Sequence, residues 1–275
     1  MNPKYLMDTF SLDPKKSLGQ NFLHDPSALE KIVSTAQLLP EDTVLEIGPG
    51  TGALTVYLAQ SAARVIAVEI DNRLIPVLEH QLRDFPNVEL VQADILDTNV
   101  EQLVGDQDYV VVGNLPYYIT SAILRHILEV EHKPKRLVIT VQQEVAERLV
   151  AGPGDMSLLA VSVLFYGCPR IVTRLNPAAF WPRPDVASAV VEITLYDRPP
   201  VDVADEALFF KVVRAGFSQK RKQLKNALGS GLGLSHPQAG ALLETANVDP
   251  TRRAETLSLD EWSAITKVIA TEQVG

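Results

Sequence analysis

Cysteine is nearly missing from this chain of 275 residues. The single one, Cys168, excludes an intrachain disulfide and a Cys-x-x-Cys metal knuckle, and it fits a reducing cytoplasm. Long apolar runs are missing too. The longest mostly apolar stretch, Leu158 to Cys168, is interrupted by Ser162 and is about half of what a membrane-spanning helix needs. Lys4, Lys15 and Lys16 accompany no apolar block of signal-peptide length, so neither a membrane nor a secretory route is expected. The five histidines, His24, His80, His126, His132 and His236, have no ligand spacing on one helix face, and no metal is expected. No low-complexity block or internal repeat occurs. With 46% apolar and 21% charged residues, the composition excludes a disordered, collagen-like or coiled-coil protein and describes an ordinary globular one with a full-sized core.

Positive charge is also in short supply, and the net charge of −9 speaks at face value against a nucleic-acid partner. The sum hides its distribution. Residues 1–197 carry 15 Lys+Arg against 25 Asp+Glu, whereas residues 198–275 carry 10 against 9. Between Lys211 and Lys225 there are six cations, Lys211, Arg214, Lys220, Arg221, Lys222 and Lys225, and no acid. Charge alone leaves two readings of this run open, a solvated helix face and a phosphate-binding surface.

What is plentiful is a rhythm of short apolar runs: Val44–Gly48, Val65–Ile70, Val88–Ala93, Tyr109–Val112 and Leu137–Val141. Each is continuous rather than alternating, as expected of strands buried on both faces, and between them lie segments of helical period, Ala28–Leu39, Leu54–Ala62 and Leu74–Phe85. This predicts a Rossmann-like, doubly wound α/β fold with a mostly parallel sheet. Ile171–Leu175 and Ser188–Tyr196 are expected to pair antiparallel at one edge. Asp25-Pro26 reads as an N-cap before a helix, and Ser258 to Glu261 as a capping box. Asp197–Asp205 breaks both periods and reads as a linker. A domain of residues 1–199 and a small helical domain of residues 200–275 are expected, the latter built from Ala207–Ala227, Pro237–Ala246 and Leu259–Thr271.

The chemistry is written at the strand ends. The first run closes on Glu46-Ile47-Gly48-Pro49-Gly50-Thr51-Gly52, a turn whose glycines let backbone approach a ligand. No Lys-Ser/Thr pair follows Gly52, which argues against a phosphate-binding P-loop, and Ala53 and Pro49 fit a dinucleotide fingerprint poorly. Glu69, at the end of the second run, can accept both hydroxyls of a ribose, and Asp94, at the end of the third, the exocyclic amine of an adenine. Singly, each acid could equally be a helix cap or a solvated loop residue. Together they point to a nucleoside.

The fourth run ends Gly113-Asn114-Leu115-Pro116-Tyr117-Tyr118, which resembles the Asn/Asp-Pro-Pro-Tyr signature of methyltransferases acting on exocyclic amines. The adenine N6 lone pair is delocalised into its ring and must be drawn toward tetrahedral character before it can attack a methyl group. Asn114 Oδ1 and the Leu115 carbonyl can accept the two amine protons, while Tyr117 offers a flat face to an extruded base.

Four further segments widen the likeness: Lys16-Ser17-Leu18-Gly19-Gln20-Asn21-Phe22-Leu23, the glycine loop, Phe180-Trp181-Pro182-Arg183-Pro184-Asp185-Val186-Ala187-Ser188, and Arg253 to Ser258. Nearly the whole chain resembles the ribosomal RNA small-subunit adenine dimethyltransferases. The resemblance implies S-adenosylmethionine as methyl donor, no metal, and two adjacent adenosines in a hairpin loop near the 3′ end of small-subunit rRNA as substrate. It places Asn21 and Leu23 in a segment folded over the donor, Gly48 against its methionine part, Glu69 on its ribose and Asp94 on its adenine. Asn114 would bridge donor and target, with Phe180 stacking on the target base opposite Tyr117. A core aromatic is the other reading of Phe180. The resemblance favours phosphate contact for Lys220, Arg221, Lys222 and Lys225, and gives Gln143–Arg148 only an exposed helix start. A monomer acting on an assembling small subunit is expected.

Three competitors remain on sequence grounds. The sister group that methylates large-subunit rRNA tends to carry isoleucine where this chain has Leu115. A non-catalytic assembly factor on the same fold is disfavoured by the intact Asn-Leu-Pro-Tyr, and an oxidoreductase by the glycine loop.

Overall fold

The computed structural model describes residues 2–274, which fold as two compact units. The first runs to Ala146 and includes Pro169–Leu195. The second takes Glu147–Cys168 and the chain from Tyr196 on. Where the Asp197–Asp205 linker suggests one crossing near residue 200, the chain therefore also lends Glu147–Cys168 to the second unit.

In the first unit nine strands form in chain order: β1 Phe22–Leu23, β2 Thr43–Ile47, β3 Arg64–Glu69, β4 Val88–Gln92, β5 Tyr109–Asn114, β6 Arg136–Gln142, β7 Gly167–Leu175, β8 Phe180–Trp181 and β9 Ser188–Leu195, β7 beginning at the unit boundary. Seven make one sheet of order β4-β3-β2-β5-β6-β9-β7. The β4-β3-β2-β5-β6 stretch is parallel throughout and β9 lies antiparallel to β6. Burial explains the continuous apolar runs of the inner strands, all five residues of β2 and Val65 to Glu69 of β3 being buried; β4 departs from that expectation, an edge strand with no fully buried residue. Helices Pro26–Ala36, Ala53–Ala59 and Ile75–Leu82 follow the expected periodic segments but end earlier. Asp25 caps the first of them, its carboxylate accepting from the Ala28 N–H at 2.9 Å. Chain order reverses between β2 and β5, so the crevice at their carboxyl ends is the switch point at which such sheets bind ligands.

A second, two-stranded sheet pairs β1 with β8, setting Phe22 opposite Trp181 and Leu23 opposite Phe180. The Phe22 and Trp181 rings stack at 6.3 Å. This ribbon and the N-terminal helix Pro3–Thr9 were not among the expected elements.

The second unit is helical. Leu158–Tyr166, apolar all round, brings Phe165 and Tyr166 against Phe209 and Phe210 of helix Glu206–Phe217. Ser258 caps the helix Leu259–Val274 as expected, exchanging hydrogen bonds with Glu261. The expected helix over Ala207–Ala227 is two helices, Glu206–Phe217 and Leu224–Leu232, with a turn between them. The break has a tertiary cause. The Leu224 N–H donates to the Arg252 carbonyl at 2.7 Å and the Lys225 N–H to Pro250 at 3.3 Å, so backbone groups that would continue one helix are taken by a neighbouring loop.

Candidate active site

The turn after β2 needs its glycines. Gly48 and Gly50 sit at φ +71 and +59, and a Cβ on Gly50 would fall 2.8 Å from the Phe22 ring. The Gly50 N–H then points at Glu69, donating to Oε2 at 3.0 Å, while the Asp71 N–H donates to Oε1 at 2.9 Å. Two backbone donors thus orient the Glu69 carboxylate at the end of β3. Beside it opens a pocket lined by Leu18–Phe22, Gly48, Gly50, Glu69, Ile70 and Asn114–Tyr117.

Two buried carboxyls lie here. Desolvation raises the pKa of Glu69, although its two backbone hydrogen bonds pull the other way. Glu46, in β2 and 1% exposed, is pushed up to about 8 by burial, the Thr55 hydroxyl offsetting this in part and the Glu69 charge adding to it. Neither Glu46 oxygen finds a well-aligned hydrogen bond. Asp71, just beyond, is the opposite case: despite burial, bonds from Arg73 and Gln20 hold its carboxyl well below the usual range.

At the end of β5 the Asn114 side chain donates from Nδ2 to the Asn21 carbonyl at 2.8 Å, and Asn21 Nδ2 donates to the Gly19 carbonyl at 3.1 Å. The Leu115 N–H donates to the Thr140 carbonyl at 3.1 Å, which with the ring of Pro116 fixes the intervening peptide. The Tyr117 hydroxyl lies 2.8 Å from Ser188 Oγ on β9, and burial raises its pKa. A Cβ on Gly113 would fall 2.7 Å from the Ile47 carbonyl, so β5 approaches β2 as closely as only glycine allows.

The structure therefore brings Asn21, Gly48, Glu69, Asn114, Leu115 and Tyr117 to one pocket. Leu23 lines a smaller cavity that shares Phe22, Gly48, Gly50 and Asn114 with the first and has Glu46 in its wall. Asp94 stands at the end of β4, half-buried, one oxygen accepting from the Leu96 N–H at 2.9 Å; it lines neither cavity. Phe180 lines neither as well. It is 3% exposed, its ring packed in the apolar cluster with Leu23, Leu175 and Ala179. In the second unit Lys220, Arg221 and Lys222 are exposed on the turn between the two helices, and Lys225, half-buried, opens the next one. Asp249 is lowered by the Thr251 backbone and hydroxyl and then by the charges of Arg252 and Lys225. Gln143–Arg148 lies in helix Gln143–Leu149.

Sequence reasoning gave no role to Asp71, Gln20 or Ser188. An acid two residues after Glu69 with an arginine two further on was the available signal for Asp71. Nothing in the order of residues announces that Ser188 meets Tyr117.

Residues 12–271 match the family model described as ribosomal RNA adenine dimethylase. Over 263 residues the chain is 48% identical to ribosomal RNA small subunit methyltransferase A of Dehalococcoides mccartyi, covering 95% of this chain and 90% of that one. The protein of the same name from Alkaliphilus metalliredigens is 42% identical over 277 residues, 98% of this chain and 96% of its own. Among solved structures, the 23S rRNA methyltransferase ErmE superposes with a TM-score of 0.72 at 28% identity, over 91% of this chain and all of its own. A dimethyladenosine transferase from Plasmodium falciparum superposes at 0.78 with 24% identity, over 92% and 98%, a likeness of fold.

Proposed function

This chain belongs to the ribosomal RNA adenine dimethylase family, and from that premise we propose that it uses S-adenosylmethionine to convert two adjacent adenosines, in a hairpin loop near the 3′ end of small-subunit rRNA, to N6,N6-dimethyladenosine. It is an rRNA adenine dimethyltransferase. The observation that supports the fuller reading is the placement of Asn114, in the wall of the pocket that Glu69 also lines, with its amide nitrogen committed to Asn21. The 42–48% identity to proteins named for the small subunit, against 28% to one named for 23S rRNA, favours the small-subunit substrate.

The residues fit the donor. Glu69 presents a carboxylate, already oriented by two N–H groups, to the ribose hydroxyls, and Gly48 permits close passage of the methionine part beside Asn21 and Leu23. Asp94, with one oxygen engaged at Leu96, offers the other to the donor adenine. When bound, S-adenosylmethionine supplies a strongly electrophilic methyl group. What remains for the protein is positioning and electrostatics.

With Nδ2 held by Asn21, Asn114 presents Oδ1 to the amine, and the Leu115 carbonyl accepts the second proton. Both acceptors strengthen as the nitrogen becomes cationic, so they stabilise the transition state more than the ground state. Tyr117, tethered through its hydroxyl to Ser188, holds its ring to stack on the base. Phe180 reaches the base from the other side if the β1–β8 ribbon shifts to uncover its ring. Lys220, Arg221, Lys222 and Lys225 contact phosphates, and the protein works in the cytoplasm as a monomer on an assembling small subunit.

The test is methyl transfer from S-adenosylmethionine to separated, unmethylated ribosomal subunits, with mass spectrometry of the labelled fragment. Two neighbouring dimethyladenosines in small-subunit rRNA are expected. Label confined to the large subunit, or to a single adenosine, overturns the proposal.

A further inference from the structure

Two residues beyond Glu69, a carboxylate with no exposed side-chain surface gathers partners from three places. Asp71 Oδ2 accepts from Gln20 Nε2 at 2.9 Å and from Arg73 Nη2 at 2.6 Å. Oδ1 accepts from Lys15 Nζ at 3.4 Å, from Arg73 Nε at 2.9 Å and from the Arg73 N–H at 3.3 Å. The arginine reaches further, its Nη1 donating to the Asp13 carbonyl at 3.3 Å. Gln20 is held from its other end as well, Oε1 accepting from the Lys15 N–H at 2.7 Å. The segment 13–20 is thus pinned to the end of β3 through one buried acid. Leu18, Gly19, Gln20 and Asn21 are pocket wall, and the Asp71 N–H itself orients Glu69.

We propose that Asp71 is a positioning residue for the donor site, a buried latch that holds the N-terminal wall of the pocket at its working distance from Glu69 and from Asn114. The inference rests on the donor reading given above. An opened wall strips the buried carboxylate of its Gln20 and Lys15 bonds and leaves Arg73 alone to balance it, so opening is uphill and the closed wall dominates. Arg73 matters in both arrangements. It keeps the acid ionised while the wall is open, so the latch can re-form without a proton changing hands. The wall also carries the Asn21 carbonyl that accepts from Asn114, so a latch fault at Asp71 is felt at the catalytic amide.

Asp71→Asn keeps the shape and removes the charge, and its new amide N–H groups face donors instead of accepting from them. Gln20→Ala cuts the same latch from the wall side and leaves β3 and Arg73 untouched. Each variant is expected to speed dissociation of S-adenosylmethionine and raise its KM by about tenfold, the size of a lost hydrogen bond to a charged group. Turnover at saturating donor should change much less. The double variant should be no worse than Asp71→Asn alone, and hydrogen exchange should rise over residues 13–21 while the sheet stays protected. A merely structural role predicts instead a lowered Tm with additive effects and an unchanged KM. If Asp71→Asn does not fold, Gln20→Ala decides by the KM and exchange readouts alone. Glu69→Gln separates the two ideas: unchanged donor affinity there overturns the donor site itself. Weakened affinity there, with normal KM in both latch variants, overturns the latch.

Discussion

The side-chain amide of Asn114 donates to the main-chain carbonyl of Asn21 across 2.8 Å, joining the end of β5 to the N-terminal wall of the pocket. An asparagine side chain has one acceptor and two donors, and this bond settles which end faces inward. It also predicts that a carboxylate fits poorly here, since aspartate would set a negative oxygen against a carbonyl.

Asn114→Ala is accordingly expected to lower turnover by about 10²–10³-fold, the usual size of a lost transition-state acceptor or donor, with a smaller effect on donor affinity. Asn114→Asp keeps an acceptor but repels Asn21, so donor KM should rise as well. Steady-state kinetics with both substrates varied will read this, and normal turnover in the alanine variant would rule the mechanism out.

For Glu69 the structure changes what a truncation means. Sequence alone suggests that Glu69→Ala weakens the donor and spares the fold. The carboxylate, however, accepts from the Gly50 and Asp71 N–H groups, so alanine leaves two donors unpaired at a cost of about 1–3 kcal/mol each where water cannot reach them. A lowered melting temperature is expected together with a ten- to hundredfold weaker donor, roughly 1.5–3 kcal/mol. Glu69→Gln, which keeps one acceptor, should lose affinity with a smaller thermal penalty. Calorimetry giving wild-type affinity for both would remove Glu69 from the site.

Glu46 makes a pH prediction. Its carboxyl titrates near 8 in the fold against 4.5 in the open chain, so between those values the folded state holds a proton that the unfolded state has released. Stability from this group is fully present below pH 4.5 and is lost as pH rises toward 8, at up to about 1.4 kcal/mol per unit. Glu46→Gln abolishes the titration, so in donor-free protein its melting temperature should exceed wild type at pH 8–9 and converge with it near pH 5. Parallel melting curves of the two proteins across that range would show the carboxyl to be otherwise stabilised.

Phe180 separates packing from chemistry. Buried in the apolar cluster, it is expected to lose about 1–3 kcal/mol on Phe180→Leu, a large-to-small change in a packed site. Leucine gives no stacking face. If the ring meets the target base during reaction, the variant should stay folded at the assay temperature and yet turn over at least tenfold more slowly; unchanged turnover would return Phe180 to the core.

How much of this was legible follows from where the information lies. The inner strands β2, β3, β5 and β6 were legible because each is shielded on both faces and so spells its own burial, and Gly48, Glu69 and Asn114 because the carboxyl ends of such strands are predictable places. The β1–β8 ribbon was not. Two residues carry no period, and Phe22 finds Trp181 only through the finished fold. The helix break within Ala207–Ala227 is silent for a similar reason, since Ser218–Gln223 holds no glycine or proline and the interruption comes from the Arg252 and Pro250 carbonyls. Asp71 was visible as a letter and silent as a role, because its partners Lys15 and Gln20 are far away in sequence.

That interrupted helix bears on the last prediction. On a continuous helix, Lys220, Arg221 and Lys222 would point in three directions. On the turn between Phe217 and Leu224 all three are exposed, in a segment of 15 residues without an acid. If they sit on phosphates, binding to small-subunit rRNA should weaken steeply with salt although the protein carries a net −9, because counterion release depends on local contacts. Removing Lys220 or Lys222 should lower the log–log slope by up to about 1 each. Lys225 should matter less, being half-buried and within the field of Asp249. Arg221→Lys keeps the charge but loses the planar fork, so it should weaken binding while leaving the slope nearly unchanged. Donor affinity should stay constant in all of them, since the run lies in the helical unit and the donor pocket in the other. Should neutralising all four leave both slope and rRNA affinity in place, the turn is a solvated surface, and the acidic character of the whole chain is the better guide to how it meets RNA.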